Sequence, residues 1–124
     1  MENTKILIVD DDASQRSLLK LLFESYGYKN LYLASNGKIA VEKYLDLSEK
    51  IDVVLMDYRM PIMNGLEATK KILEINALAS IVILSADDIS KEAIEYGAKF
   101  FIKKPFMNIS AIIDVIKKLC FSKH

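Results

Sequence analysis

A chain of 124 residues is one domain's worth, and 52% hydrophobic side chains supply enough apolar surface for a real core. Its 17 basic and 17 acidic residues cancel, which excludes a global basic footprint for nucleic acid or an anionic membrane surface. One cysteine, Cys120, excludes an internal disulfide and suits a reducing cytoplasm, and one histidine, the final His124, excludes a histidine-built zinc site or catalytic dyad.

The N-terminus MENTK lacks the charged-then-apolar order of a signal peptide, and no apolar run approaches the ~20 residues of a membrane span. Ile6-Val9 is the first short apolar run and reads as a strand. A helical period follows in Leu18, Leu19, Leu22, Phe23 and Tyr26, closed by Gly27. Leu31-Leu33 is a second strand, and Ala40, Val41, Tyr44 and Leu45 mark a second helix. Asp52-Met56 is a third strand, followed after Asn64-Gly65 by a helix carrying Leu66, Ile72, Leu73 and Ile75. Ile81-Leu84 leads into a short helix with Ile89, Ala93 and Ile94, stopped by Gly97. Phe100-Ile102 is the fifth strand. The last helix, with an Asn108 cap, bears Ile109, Ile112, Ile113, Ile116, Leu119 and Cys120, where the cysteine is expected to pack. Most strands are continuously apolar, as strands buried on both faces should be, and the fivefold alternation predicts an α/β fold with helices covering both faces of a parallel sheet.

In such a sheet, ligands bind beyond the carboxyl ends of the strands. After the first run come Asp10, Asp11 and Asp12; after the third, Asp57; after the fourth, Ser85; after the fifth, Lys104. The second offers only Ala34-Ser35, which suits an edge strand away from the site. Two carboxylates at ~4 Å repel by roughly 4 kcal/mol at an effective dielectric of about 20, so the acidic cluster requires a compensating cation. Hard oxygen ligands with room for water suit Mg²⁺ rather than zinc. Asp57, flanked by apolar residues, is the natural nucleophile for a phosphoryl group, Ser85 can donate to a phosphoryl oxygen, and a lysine neutralises developing charge. Asp12 reads equally well as an ordinary helix N-cap.

The motifs ILIVDD, VVLMDYRMPIMNG, ILSA and YGAKFFIKKPF, in that order, resemble the receiver domain of two-component response regulators, including the single-domain chemotaxis type, across Lys5 to Leu119. The resemblance implies a flavodoxin-like, doubly wound sheet in the order 2-1-3-4-5 with five helices, and one receiver domain over residues 1–124. It implies that Asp57 accepts phosphate from the phosphohistidine of a sensor histidine kinase or histidine phosphotransfer protein. Asp11, Asp57 and the backbone carbonyl of Arg59 would ligate Mg²⁺, with Asp10 acting through water. Ser85 and Lys104 would bind the phosphoryl group, and Lys104-Pro105 looks like the family's cis peptide bond. Asp12 falls just after the family's acidic pair and is left to capping. With no internal histidine the chain needs a partner as phosphodonor. The resemblance further implies a cytoplasmic switch that alters the surface of its last two strands and helices and regulates a target protein, with no nucleic acid or membrane contact and no enzymatic activity beyond its own phosphorylation and dephosphorylation.

Three departures stand out. Phe101 occupies the position of the readout aromatic, where the family more often has tyrosine. The segment from Ser85 to Phe101 is about one helical turn short, which predicts an altered output partner or a site shifted towards the last helix. Arg59 and Asp87, each two residues past a site residue, carry opposite charges and are expected to pair across the mouth and impede water. Among competing readings, Asp10-Asp11-Asp12, Ser85 and Lys104 also fit motifs of haloacid-dehalogenase-type phosphatases. Those enzymes need an acidic pair downstream of the lysine, where this chain has only Asp114. A receiver that works without phosphorylation would usually have lost an acceptor, metal acid or lysine, and a flavodoxin-like nucleotide binder lacks its phosphate loop here.

Overall fold

The computed structural model describes residues 3–47, 51–105 and 109–121. In chain order the elements are β1 (Lys5–Val9), α1 (Ala13–Ser25), β2 (Asn30–Ala34), α2 (Gly37–Leu47), β3 (Val53–Asp57), α3 (Gly65–Ile75), β4 (Ile81–Ser85), α4 (Ser90–Glu95), β5 (Phe100–Lys103) and α5 (Ile109–Phe121). The five strands are all parallel and lie in the order β2-β1-β3-β4-β5.

The period of two along each strand sorts the helices. Leu7, Val9, Val54, Met56, Ile81 and Ile83 pack on Ala40, Tyr44, Ala68, Ile72 and Ala93 of α2, α3 and α4. The intervening residues Ile6, Ile8, Val53, Leu55, Val82 and Leu84 pack on Leu19 and Phe23 of α1 and on Ile109, Ile112, Ile113, Ile116 and Leu119 of α5. Both faces of the central strands are therefore buried, which is why their sequences are apolar without alternation. β2, at one edge, is half-buried along Asn30 to Leu33.

The helices bury narrower arcs than their apolar periods predict. Leu18, Tyr26, Leu45 and Ile94 are 49%, 42%, 62% and 52% exposed. A flat sheet meets a helix along one line of contact, so Leu19 and Phe23 fill it and Leu18, one residue round, faces outward. The expected Asn108 cap lies outside the described residues. Gly27 and Gly97, with φ of 95° and 105°, turn the chain out of α1 and α4.

Register aligns the carboxyl ends of the strands. Asp57 pairs with Leu84, and Ser85 with Lys103, so Asp57, Ser85 and Lys104 are delivered to one rim by three neighbouring strands. Phe23, fully buried and edge-on to Tyr28 at 5.6 Å, anchors the last turn of α1 near the amino end of β2, away from that rim. Phe23→Ala should destabilise the fold by about 3–5 kcal/mol, read as a lower urea midpoint at unchanged slope.

Candidate functional site

Asp10 is the first residue beyond β1 and is 4% exposed. Its amide donates to the Ala34 carbonyl at 3.1 Å, continuing the β1–β2 ladder, and its carboxylate accepts the Asp12 amide at 2.9 Å. Asp12 itself caps α1, accepting from the amides of Ser14 and Gln15 at 2.8 and 3.2 Å. Asp11, between them, is exposed and turned to the rim.

Asp57 is the last residue of β3. The nearby Gly65 lies so close that a Cβ there would sit 2.2 Å from the Asp57 carbonyl oxygen, and its amide donates to the Tyr58 carbonyl at 2.8 Å. Only a residue without a side chain lets α3 start this near the strand end. The start of α3 is fixed by a capping box: Asn64 accepts from the Glu67 amide at 2.9 Å, and Glu67 accepts from the Asn64 amide at 3.1 Å.

Carboxylate oxygens of Asp10, Asp11 and Asp57 all lie within 4.8 Å of one another. From the far side Lys104 Nζ reaches Asp57 at 3.2 Å and Asp10 at 3.6 Å. Lys104 is aimed by its own amide, which donates to the Ser85 carbonyl at 2.8 Å, and its bond to Pro105 is cis. Ser85 is 2% exposed; its Oγ accepts the Asp87 amide at 3.0 Å, leaving the hydroxyl proton free to donate. A cleft of about 160 Å³, lined by Asp57, Arg59, Ser85, Ala86, Asp87 and Lys104, lies against the Asp57 carboxylate. At roughly 30 Å³ per water it has room for a phosphoryl group and a few waters. A second, wider cleft beside it is lined by Asp11, Tyr58, Arg59, Met60, Pro61 and Asn64.

Burial pushes the Asp57 carboxyl above the ordinary carboxylate range, and the charge of Asp10 adds to this; the Lys104 ammonium and the Tyr58 amide oppose it without cancelling it. Three carboxylates thus share one lysine ammonium among the described residues. An all-oxygen donor set, partly open to water, fits a hard divalent cation such as Mg²⁺.

Arg59 and Asp87 form the expected pair. The guanidinium binds the carboxylate through two nitrogens, Nε and Nη2, the latter at 3.1 Å. This holds the Asp87 carboxyl below its usual range. Phe101 is half-buried against the cluster under α2, α3 and α4. Three supports escaped the sequence reading. Arg16 donates to the Asp10 carbonyl at 2.6 Å, tying α1 to the acid that precedes it. The Asn64–Glu67 capping box had a legible signature, an Asn followed three residues later by Glu, whereas neither the Gly65 approach nor Arg16 has a local signal.

Because the folded state favours neutral Asp57, the stability linked to that group is present below the unfolded carboxylate value and lost as pH rises through the folded one. In metal-free buffer at neutral pH, Asp57→Asn should therefore melt above the native chain, and the difference should shrink as pH falls towards about 4. Mg²⁺ at ten times its Kd should stabilise the native chain by about 1.4 kcal/mol, and Asp57→Asn by clearly less, in the same melting experiment.

The chain matches the response regulator receiver domain model over residues 6–117. It is 43% identical to the chemotaxis protein CheY of Thermotoga maritima over 118 residues, covering 93% of this chain and 96% of that one. Identity to CheY of Bacillus subtilis is 41% over 117 residues, covering 92% and 95%. Among solved structures, the CheX–CheY–BeF3–Mg²⁺ complex from Borrelia burgdorferi superposes with a TM-score of 0.87 at 30% identity, covering 94% of this chain and 88% of that chain. The response regulator TrrA of Thermotoga maritima, solved with Mg²⁺ and BeF, gives 0.83 at 31% identity, covering 94% and 98%. By fold, by the converging acids and lysine, and by these likenesses, the chain belongs to the response regulator receiver domains.

Proposed function

We propose that residues 1–124 act as one cytoplasmic receiver domain, a switch thrown by phosphorylation of Asp57. The observation that carries this reading is the meeting of Asp10, Asp11 and Asp57 within 4.8 Å beside an ammonium 3.2 Å from Asp57. Among the described residues no helix is long and apolar enough to cross a membrane.

The donor is the phosphohistidine of a sensor kinase or histidine phosphotransfer protein, since the chain's one histidine is its last residue. An Asp57 carboxylate oxygen attacks phosphorus, the P–N bond breaks, and its electron pair leaves on the imidazole of the donor. Lys104 moves from pairing with the carboxylate to binding a phosphoryl oxygen, and Ser85 donates its free hydroxyl proton to another. Asp11, Asp57 and the Arg59 carbonyl would hold Mg²⁺, with Asp10 acting through water, and the ion would supply positive charge to offset the developing negative charge. Hydrolysis returns the switch: water attacks phosphorus and the Asp57 carboxylate leaves.

A phosphoryl group adds roughly −1.5 to −2 charge at the rim, and Ser85 and Lys104 are the groups drawn to it. Ser85 ends β4 and Lys104 follows β5, so the change is passed to the β4-α4-β5-α5 surface, with Phe101 as the packed aromatic, and is read by a target protein. The short α4 favours a target contact nearer α5.

Incubation with Mg²⁺ and acetyl phosphate should add the mass of one phosphoryl group to the native chain and none to Asp57→Ala; equal gain in both would refute the assignment. Alanine at Arg59 or at Asp87 should change the decay rate of the phosphorylated chain by up to about fivefold, in line with an exposed ion pair.

A further inference from the structure

The Arg59–Asp87 pair joins two loops on opposite lips of the cleft that holds Asp57, Ser85 and Lys104. Asp87 is also the point from which the β4–α4 turn is held. Its amide donates to Ser85 Oγ at 3.0 Å, and its carbonyl accepts the Ile89 amide at 3.0 Å. The helix that follows adds little hold of its own: α4 has six residues, and Ile89 at its N-cap makes no side-chain cap bond. The turn is thus pinned to the opposite lip by one guanidinium.

That guanidinium is easily moved. The Arg59 side chain is 79% exposed, and an exposed ion pair biases an equilibrium only up to about fivefold. Given the proposed phosphorylation of Asp57, on which this inference rests, a second anion enters the same cleft. It carries up to about two charges and three acceptor oxygens against the single charge of Asp87. Arginine's planar fork suits phosphate oxygens as well as it suits a carboxylate.

The geometry points to Arg59 as a transferable counter-ion: it clamps Asp87 in the unmodified chain and passes to the phosphoryl oxygens when Asp57 is modified, releasing the β4–α4 turn. Phosphorylation then acts on this turn from two sides. Ser85 is drawn from beneath, and the clamp on Asp87 is withdrawn from above. Arg59 and Asp87 are positioning residues in this account, and their coupling is the quantity to measure.

Beryllofluoride with excess Mg²⁺, a stable stand-in for the phosphoryl group, provides the test on the whole chain. Its affinity is measured by titration for the native protein, Asp87→Ala, Arg59→Ala and the double variant, with melting curves to check that each is folded. Competition predicts that Asp87→Ala tightens binding by about twofold to fivefold while Arg59 is present, and that this gain disappears in the Arg59→Ala background. Asp87→Asn, which keeps the shape and removes the charge, should behave as Asp87→Ala does. Hydrogen exchange at amides 86–89 should be faster in Asp87→Ala without beryllofluoride, and should rise to a similar rate in the native chain once beryllofluoride is bound. Equal gains from Asp87→Ala in both backgrounds would mean simple relief of repulsion between Asp87 and the anion, and would overturn the transfer. No gain in either background would overturn it as well. A native chain that binds no beryllofluoride would refute the proposed function itself.

Discussion

The ammonium of Lys104, 3.2 Å from Asp57 and 3.6 Å from Asp10, is the interaction on which the site depends. Without it, three carboxylates within 4.8 Å of one another, two of them largely buried, would have no ion-pair partner among the described residues. Its attraction lowers the cost of the cluster but does not remove it, because burial and Asp10 still leave the Asp57 carboxyl above its ordinary range. This residual imbalance is useful. Under the proposed function, a divalent cation would add the positive charge that one ammonium does not supply.

Such a cluster survives only on a rigid base. Asp10, Asp57 and Ser85 issue from three central strands buried on both faces, and Lys104 follows the half-buried edge strand β5 beside them, so their relative positions are set by ladder hydrogen bonds rather than by loop conformation. The loop from Tyr58 to Gly65 is also tied down. Gly65 donates to the Tyr58 carbonyl, and the Gly37 amide of α2 donates to the Met63 carbonyl at 3.2 Å. Gly37 could carry no Cβ there, since it would meet the Met63 oxygen at 2.5 Å. Lys104, by contrast, reaches the acids on a flexible stem, and Arg59 and Asp87 meet at the solvent surface. The fixed part of the site is therefore acidic, and the movable part is largely cationic. Under the proposed function, an arriving phosphoryl group would redistribute cations around Asp10 and Asp57, which stay in place.

Much of this was legible in the sequence because the relevant signals are local. Continuous runs such as VVLM mark strands covered on both faces, and the residue after each run marks the rim, so Asp10, Asp57, Ser85 and Lys104 could be set on one edge without coordinates. Asp57 and Ser85 turn out to be the last residues of their strands rather than the first beyond them, which leaves the placement intact. Helix burial was less legible. Leu18 and Leu45 satisfy a helical period, yet they are exposed, because the period records which residues share a side of the helix and not how wide a strip the sheet covers. Arg16 and Gly65 were out of reach for a different reason. Their roles exist only through a backbone carbonyl six residues back or through a close backbone approach, neither of which composition encodes. The Arg59–Asp87 pair could be suggested from opposite charges at matched offsets. Its two-nitrogen geometry, and the extra hold of the Asp87 amide on Ser85, needed the structure.

The six residues of α4 span only about 9 Å, too short to be stable alone in water. The helix persists because Ala93 and Ile89 pack into the cluster under the sheet and because the preceding turn is held at Asp87. Both supports lie next to elements that phosphorylation would disturb. Phe101, opposite Ile83 in the ladder and packed into the same cluster, has no hydroxyl with which to hydrogen-bond in one state and not the other. Its ring can report on the site only through volume, by filling space that the turn and α4 vacate or reclaim. A receiver with tyrosine at this position can use a directional bond to favour one rotamer. Under the proposed function the same task would fall to packing, and the marginal stability of α4 would be a working part of the switch rather than a defect.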